Sequence, residues 1–270
     1  MARAPTLEEA RHWFAEELRA IAHLADDRVV RAFAAIPRER FAGPGPWRLF
    51  HIIDGYWSTP DDDPRRLYHN VLIGLDEARG INIGEPVLWA RHLDRIGIKD
   101  GDRVLQLGTG TGYYTAILAE LVGPNGRVDG IEIEASLAAT AERNLEPWPA
   151  AHVRHGDASE PIDGAWDLIV AFAGATTPLG WWVDALADGG RLLLPMTGAR
   201  GRGGFMLRLD RRRAQRRGRG SHRKCAQRSC RTTGRPQPSP RPTRARRHLL
   251  AARRRLVPQQ ARAALTWRAR

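Results

Sequence analysis

The sequence predicts an α/β fold: an open, mostly parallel sheet with flanking helices, preceded by a helical N-terminal extension. Three observations predict it. Past residue 100, short apolar runs of strand length alternate with segments of helical spacing. The turns between them are short. The first of these runs ends in Gly108-Thr109-Gly110-Thr111-Gly112, a strand-to-helix turn of the kind at which open sheets bind ligands.

Each element has its own warrant. Residues 6–24 form an amphipathic helix: Trp13, Phe14, Leu18, Ile21 and Leu24 fall near one face. Thr6 caps it, and Glu8 and Glu9 sit in the first turn, where negative charge suits the helix dipole. A second helix spans 27–36 and stops before Pro37. Residues 42–64, rich in Gly, Pro, Trp and Asp, read as loop, and 68–86 mix short apolar runs with glycines. Residues 87–96 are again helical. Strands are expected at 103–107, 127–133, 152–154, 167–172, 191–195 and 204–209, with helices at 113–122, 136–145 and 179–186.

The charge divides the chain. Its 270 residues carry 43 Lys+Arg and 30 Asp+Glu, a formal net charge of +13. Residues 211–270 hold 21 of the basic residues and no acidic one, which leaves 22 basic against 30 acidic in 1–210. A uniformly basic nucleic-acid-binding domain is excluded; only the tail has the charge to meet a polyanion. The first residues lack the apolar core of a signal peptide. The longest uncharged stretch, 168–183, contains Pro178 and falls short of the ~18–20 apolar residues of a membrane span. Both cysteines, Cys225 and Cys230, lie in the tail, so the body has no disulfide framework and no Cys-based zinc site. The histidines follow no metal spacing, and no metal is expected. These features point to a cytoplasmic protein without membrane contact.

The chemical signal is the glycine loop together with two acidic positions downstream of it. Glycines there admit positive φ and let a ligand lie against bare backbone. The pattern is GxGxG. Tyr113 stands where a dinucleotide fingerprint needs its third glycine, and no Gly-Lys-Ser/Thr comes after it for a Walker loop. About 20 residues on, at the end of the second strand, Glu132 is placed to accept both hydroxyls of a ribose, in preference to Glu134 one step beyond. After the third strand, Asp157 and Ala158 stand where an adenine amine would be met.

These residues resemble class I S-adenosylmethionine-dependent methyltransferases, whose fold is Rossmann-like. More narrowly, the chain resembles the protein-L-isoaspartate O-methyltransferase family over about 27–209. The narrower likeness rests on Ala35-Ile36-Pro37-Arg38-Glu39-Arg40-Phe41, on Leu67-Tyr68-His69-Asn70, on Gly101-Asp102-Arg103-Val104-Leu105 with the glycine loop, and on Gly189-Gly190-Arg191-Leu192-Leu193-Leu194-Pro195. The resemblance implies S-adenosyl-L-methionine as cofactor. Gly108, Thr109, Gly110 and Gly112 would lie under its methionine and ribose parts, Glu132 on the ribose, and Asp157 with Ala158 on adenine. It implies a protein or peptide carboxylate as acceptor, that of L-isoaspartyl or D-aspartyl residues in damaged proteins, and hence a protein repair enzyme. A monomer is expected. Residues 1–98 would form the acceptor side, 99–210 the cofactor domain and 211–270 a low-complexity tail. An ionised carboxylate needs no general base, so no catalytic dyad is expected and no catalytic residue is named.

One departure stands out. The family has Ile-Ser-x-Pro ahead of the helix that leads into the first motif; here it is Ile83-Gly84-Glu85-Pro86. The resemblance gives the serine a part in holding the acceptor carboxylate, so Asn82, Gly84 and Glu85 are the acceptor-side candidates. Trp57, Trp89, Trp181 and Trp182 are candidates to cover the cleft. Two other readings stay open: a methyltransferase for a different acceptor, such as a small-molecule carboxylate or hydroxyl, and a non-catalytic module that binds nucleic acid through the Arg-rich tail. The abrupt composition change at residue 211 is itself readable as a frameshift product or as a native basic arm.

Overall fold

The computed structural model describes residues 3–51, 53–198 and 204–212. The tail beyond them, with both readings of it and both cysteines, lies outside the described residues.

The chain begins with α1 (Leu7–Ala22), closed by a reciprocal capping box in which Thr6 Oγ1 accepts from Glu9 N–H and Glu9 accepts from Thr6 N–H. It ends at His23, which takes the left-handed conformation. α2 (Asp27–Ala35) is capped by Asp26 and ends before Pro37. A short α3 (Arg38–Ala42) comes next, which periodicity over five residues could not announce.

The loop expected over 42–64 is corrected. It contains β1 (Arg48–His51) and β2 (Gly55–Ser58), an antiparallel hairpin. Its Gly and Pro content masked the Asp54-Gly55 pair, a hairpin signal between apolar and aromatic residues. β3 (Leu72–Asp76) and β4 (Ile81–Ile83) add to it in the order β2-β1-β3-β4. Leu49, Ile73 and Ile83 point inward from this small sheet and are buried. α4 (Pro86–Ile96) then starts with Pro in its first turn, where the missing N–H costs nothing.

The second sheet has six strands: β5 (Arg103–Leu107), β6 (Arg127–Glu132), β7 (Ala151–His155), β8 (Trp166–Ala171), β9 (Leu186–Thr197) and β10 (Gly204–Asp210). Their order is β10-β9-β8-β5-β6-β7, all parallel except β10, which returns antiparallel to β9. α5 (Tyr113–Val122) follows β5, α6 (Ala135–Asn144) follows β6, and α7 (Gly180–Asp184) precedes β9. The helix expected over 179–186 is thus shorter, because buried Leu186 pairs with Trp166 and belongs to the sheet. β9 outruns its expected bounds because β10 pairs along it from Arg191 to Thr197.

The central strands β5 and β8 are covered on both faces, which is why they are largely apolar, whereas β7 at the edge carries His152, Arg154 and His155. Val104, Val128, Leu168, Val170 and Leu193 join one core with Phe14, Phe33, Phe41, Leu49 and Ile73 of the N-terminal part. The alternate residues Leu105, Leu107, Ile131, Ile169 and Leu192 form the opposite core with Trp166 and Trp182. Connectivity runs from β5 outward through β6 to β7, then returns to β8 on the other side of β5. The carboxyl ends of β5 and β8 therefore flank the crevice where such sheets bind ligands.

Candidate functional site

The site is assembled by the loop after β5. Gly108, Gly110 and Gly112 all have positive φ, at 81°, 55° and 98°, a backbone that L side chains rarely adopt, so the turn calls for glycine at each. Gly108 N–H donates to Ile131 O at 2.8 Å, which ties the loop to β6. Thr111 Oγ1 donates to Phe41 O at 2.6 Å, and Asn144 Nδ2 to Thr111 O at 3.0 Å. The loop is thus fastened to three elements before any ligand arrives.

Glu132, buried at the end of β6, meets this loop directly: its Oε2 accepts from Gly110 N–H at 2.7 Å and its Oε1 from Glu134 N–H at 3.1 Å. Each carboxylate oxygen retains a lone pair for one further donor, which is the capacity a pair of vicinal hydroxyls requires. Glu134 is otherwise engaged, in an ion pair with Arg79 at 2.8 Å. At the end of β7, Asp157 Oδ1 accepts from Ser159 N–H at 2.7 Å, and Ala158 N–H has no acceptor among the described residues. Trp181 and Trp182 hold this segment in place by donating to Ser159 O at 3.0 Å and Ala158 O at 3.2 Å. They are anchors of the loop after β7. Glu132 and Gly110 are in contact, and Asp157 and Ala158 stand just past the end of the next strand.

On the other side of the loop, Asn82 Nδ2 donates to Gly80 O at 2.9 Å and closes the turn between β3 and β4. Leu75, from the same hairpin, stands 3.7 Å from where a Cβ on Gly110 would be, so the small sheet reaches the glycine loop. Glu85 Oε1 accepts from Asn70 Nδ2 at 2.8 Å, while Asn70 Oδ1 accepts from Val87 N–H at 2.8 Å and so caps α4. Gly84 O accepts from Tyr114 Oη–H at 2.7 Å. Trp89 is buried and stacks on Phe172, with centroids 3.7 Å apart and planes at 21°. Tyr114 stacks on the same Phe172. Trp57 lies on β2 opposite Leu49 and is exposed.

The phenols of Tyr68, Tyr113 and Tyr114 are all pushed well above the ordinary tyrosine range, each chiefly by burial. They stay protonated and cannot serve as bases near neutral pH. Gln106 was not singled out by sequence reasoning. It is buried directly beneath the loop, with Nε2 3.3 Å from Gly108 O and Oε1 unpartnered. A lone amide inside an apolar strand is the signal that could have found it. Among the described residues, no three His, Cys, Asp or Glu are grouped to hold a metal ion.

The family model for protein-L-isoaspartate(D-aspartate) O-methyltransferase matches residues 9–219. A curated protein-L-isoaspartate O-methyltransferase of Aeropyrum pernix is 32% identical over 198 residues, 72% of this chain and 69% of that protein. The Pyrobaculum islandicum protein of the same name is 30% identical over 186 residues, covering 67% and 81%. Among solved structures, a protein-L-isoaspartate O-methyltransferase aligns with a TM-score of 0.61 at 24% identity, over 76% of this chain and 60% of that one. A Plasmodium falciparum chain described as a putative protein-L-isoaspartate O-methyltransferase, in complex with S-adenosyl-L-homocysteine, aligns at 0.56 with 20% identity, covering 74% and 94%. At those identities the two structures bear on the fold.

Proposed function

We propose the activity from one premise: the chain belongs to the protein-L-isoaspartate(D-aspartate) O-methyltransferase family. It is an S-adenosylmethionine-dependent O-methyltransferase, and its acceptor is a carboxylate of L-isoaspartyl or D-aspartyl residues in proteins and peptides. The observation that carries this reading is Glu132, buried at the end of β6, sharing its carboxylate with Gly110 N–H and keeping a free lone pair on each oxygen.

In this reading Gly108, Thr109, Gly110 and Gly112 carry the methionine and ribose parts of the cofactor, and Glu132 accepts from the ribose hydroxyls. Asp157 and the unpaired Ala158 N–H receive adenine. When bound, S-adenosylmethionine supplies an electrophilic methyl group, which a carboxylate ionised near neutral pH accepts with no proton to remove. What remains for the chain is to bind, orient and exclude water. Leu75 against Gly110 brings the small sheet over the loop, which supports placing the acceptor on the side of Asn82, Gly84 and Glu85. Glu85 would repel an incoming carboxylate, but Asn70 holds it at the start of α4. The proposal extends to a cytoplasmic monomer; no helix among the described residues is long and apolar enough to cross a membrane.

The test is calorimetric binding of S-adenosylhomocysteine to the full chain and to Glu132→Ala, followed by methyl transfer to an isoaspartyl peptide. Binding that weakens by at least about tenfold in the variant, the loss expected for one hydrogen bond to a charged group, supports the site. A folded wild-type chain that binds no S-adenosylhomocysteine would overturn the reading.

A further inference from the structure

We propose that the indole N–H of Trp89 is the group that receives the acceptor carboxylate, a role that rests on the methyltransferase reading above. The position comes from Gly84. A Cβ built on Gly84 would stand 2.5 Å from Trp89 Nε1 and 2.9 Å from Cδ1. The polar edge of the indole therefore fills the volume that a side chain at 84 would take, next to the Asn82–Glu85 strip.

The N–H is also unspent. Trp47, Trp148, Trp181 and Trp182 donate theirs to Gly43 O, Glu120, Ser159 O and Ala158 O. Trp89 Nε1 makes no hydrogen bond among the described residues. Trp166 Nε1 is likewise unpaired but is sealed in at the start of β8, the end of the sheet away from the glycine loop, and Trp13 and Trp57, also without an acceptor among the described residues, are exposed to solvent. The ring of Trp89 is held still: it stacks on Phe172 at 3.7 Å, Phe172 stacks on Tyr114, and Tyr114 Oη–H donates to Gly84 O. Phe172 N–H donates to Leu107 O at 2.8 Å, so the stack is tied to the strand end from which the glycine loop departs.

The chemistry suits the task. A neutral donor binds one carboxylate oxygen through a single hydrogen bond. A guanidinium would take both oxygens and draw charge from the one that must attack. The indole fixes the spectator oxygen and leaves the other its lone pairs.

Trp89→Phe keeps the ring on Phe172 and removes the N–H. The expected result is a KM for an isoaspartyl peptide raised about ten- to a hundredfold, the range for a hydrogen bond to a charged group, with kcat and S-adenosylhomocysteine affinity nearly unchanged. Gly84→Ser alone meets the indole and also raises KM. In Trp89→Phe/Gly84→Ser the smaller ring leaves room for the hydroxyl, and KM returns toward wild type, which a merely structural role for Trp89 would not produce. An unchanged KM in Trp89→Phe overturns the proposal while leaving the methyltransferase reading intact. Should Trp89→Phe fail to fold, Gly84→Ala decides: its methyl displaces the indole edge, and an unchanged peptide KM overturns the proposal. A wild-type chain that binds S-adenosylhomocysteine but methylates no isoaspartyl peptide overturns the acceptor assignment and this proposal together.

Discussion

At Gly130, in the middle of β6, a Cβ would collide with Thr109 Cγ2. The threonine of the glycine loop thus lies flat on the strand behind it, and the strand must be bare there. Gly130→Ala is expected to destabilise the protein by about 1–3 kcal/mol, as overpacking does, and to weaken S-adenosylhomocysteine binding by pushing Thr109 out of the loop. Chemical denaturation and calorimetry check the two effects separately. Arg38 is a second case of one side chain with a long reach. It is completely buried, donates to the carbonyl oxygens of Leu67, His69 and Val71, and lies over the rings of Phe14 and Tyr113. No carboxylate among the described residues pairs with it; carbonyl dipoles and ring faces take that part. Arg38→Lys cannot reach all three carbonyls, so it is expected to lower the melting temperature clearly even though the charge is kept.

Between elements, the most consequential contact is a buried ion pair. Arg191 Nη2 meets Asp102 Oδ2 at 2.5 Å, and Arg191 also donates to Ile96 O, Gly97 O and Asp167 O. Asp102 Oδ2 in turn accepts from Lys99 N–H at 2.9 Å. The pair fastens β9 to the turn before β5 and to the end of α4. Asp102 and Arg191 belong to two of the segments on which the family resemblance rests, and the structure gives them a common architectural role far from the glycine loop. Asp102→Ala strands a buried guanidinium and is expected to cost about 3–5 kcal/mol by urea titration. Asp102→Ala/Arg191→Met, which removes both charges, is expected to recover part of that loss.

For the whole molecule, the tyrosines set an alkaline limit. All four have phenols raised above their ordinary value, with burial the first cause in each. A group raised on folding stabilises fully below its unfolded pKa of about 10 and loses that contribution as pH rises beyond it. Stability is therefore expected to fall steeply above pH ~10, with the tyrosinate absorbance of the buried Tyr68, Tyr113 and Tyr114 appearing only as the chain unfolds. Smooth titration of three phenols in the folded state would contradict the packing of Tyr68, Tyr113 and Tyr114 in the aromatic core. That core runs unbroken from Phe14 and Phe33 through Tyr113 to the central sheet, so the N-terminal part and the six-stranded sheet share their interior.

The sequence by itself determined where strands β5 to β10 lie, the capping of α1 by Thr6, and the glycine turn after β5 with an acidic residue at the end of β6. These are local: a strand's apolar run, a cap at fixed spacing and a bare turn are written in neighbouring residues. Only the tertiary structure decided the rest. The β1–β2 hairpin was obscured because its short strands gain their partners and buried face from β3 and the N-terminal helices. The ends of α7 and β9 were set by pairing with β8 and β10. Gln106 gave one polar residue in an apolar run, but its orphaned oxygen beneath the loop is a fact of packing. Gly84 was visible as a missing hydroxyl; that an indole edge from the following helix occupies its space could be known only once α4 was docked, because side-chain volume is shared between residues that the chain brings together in three dimensions.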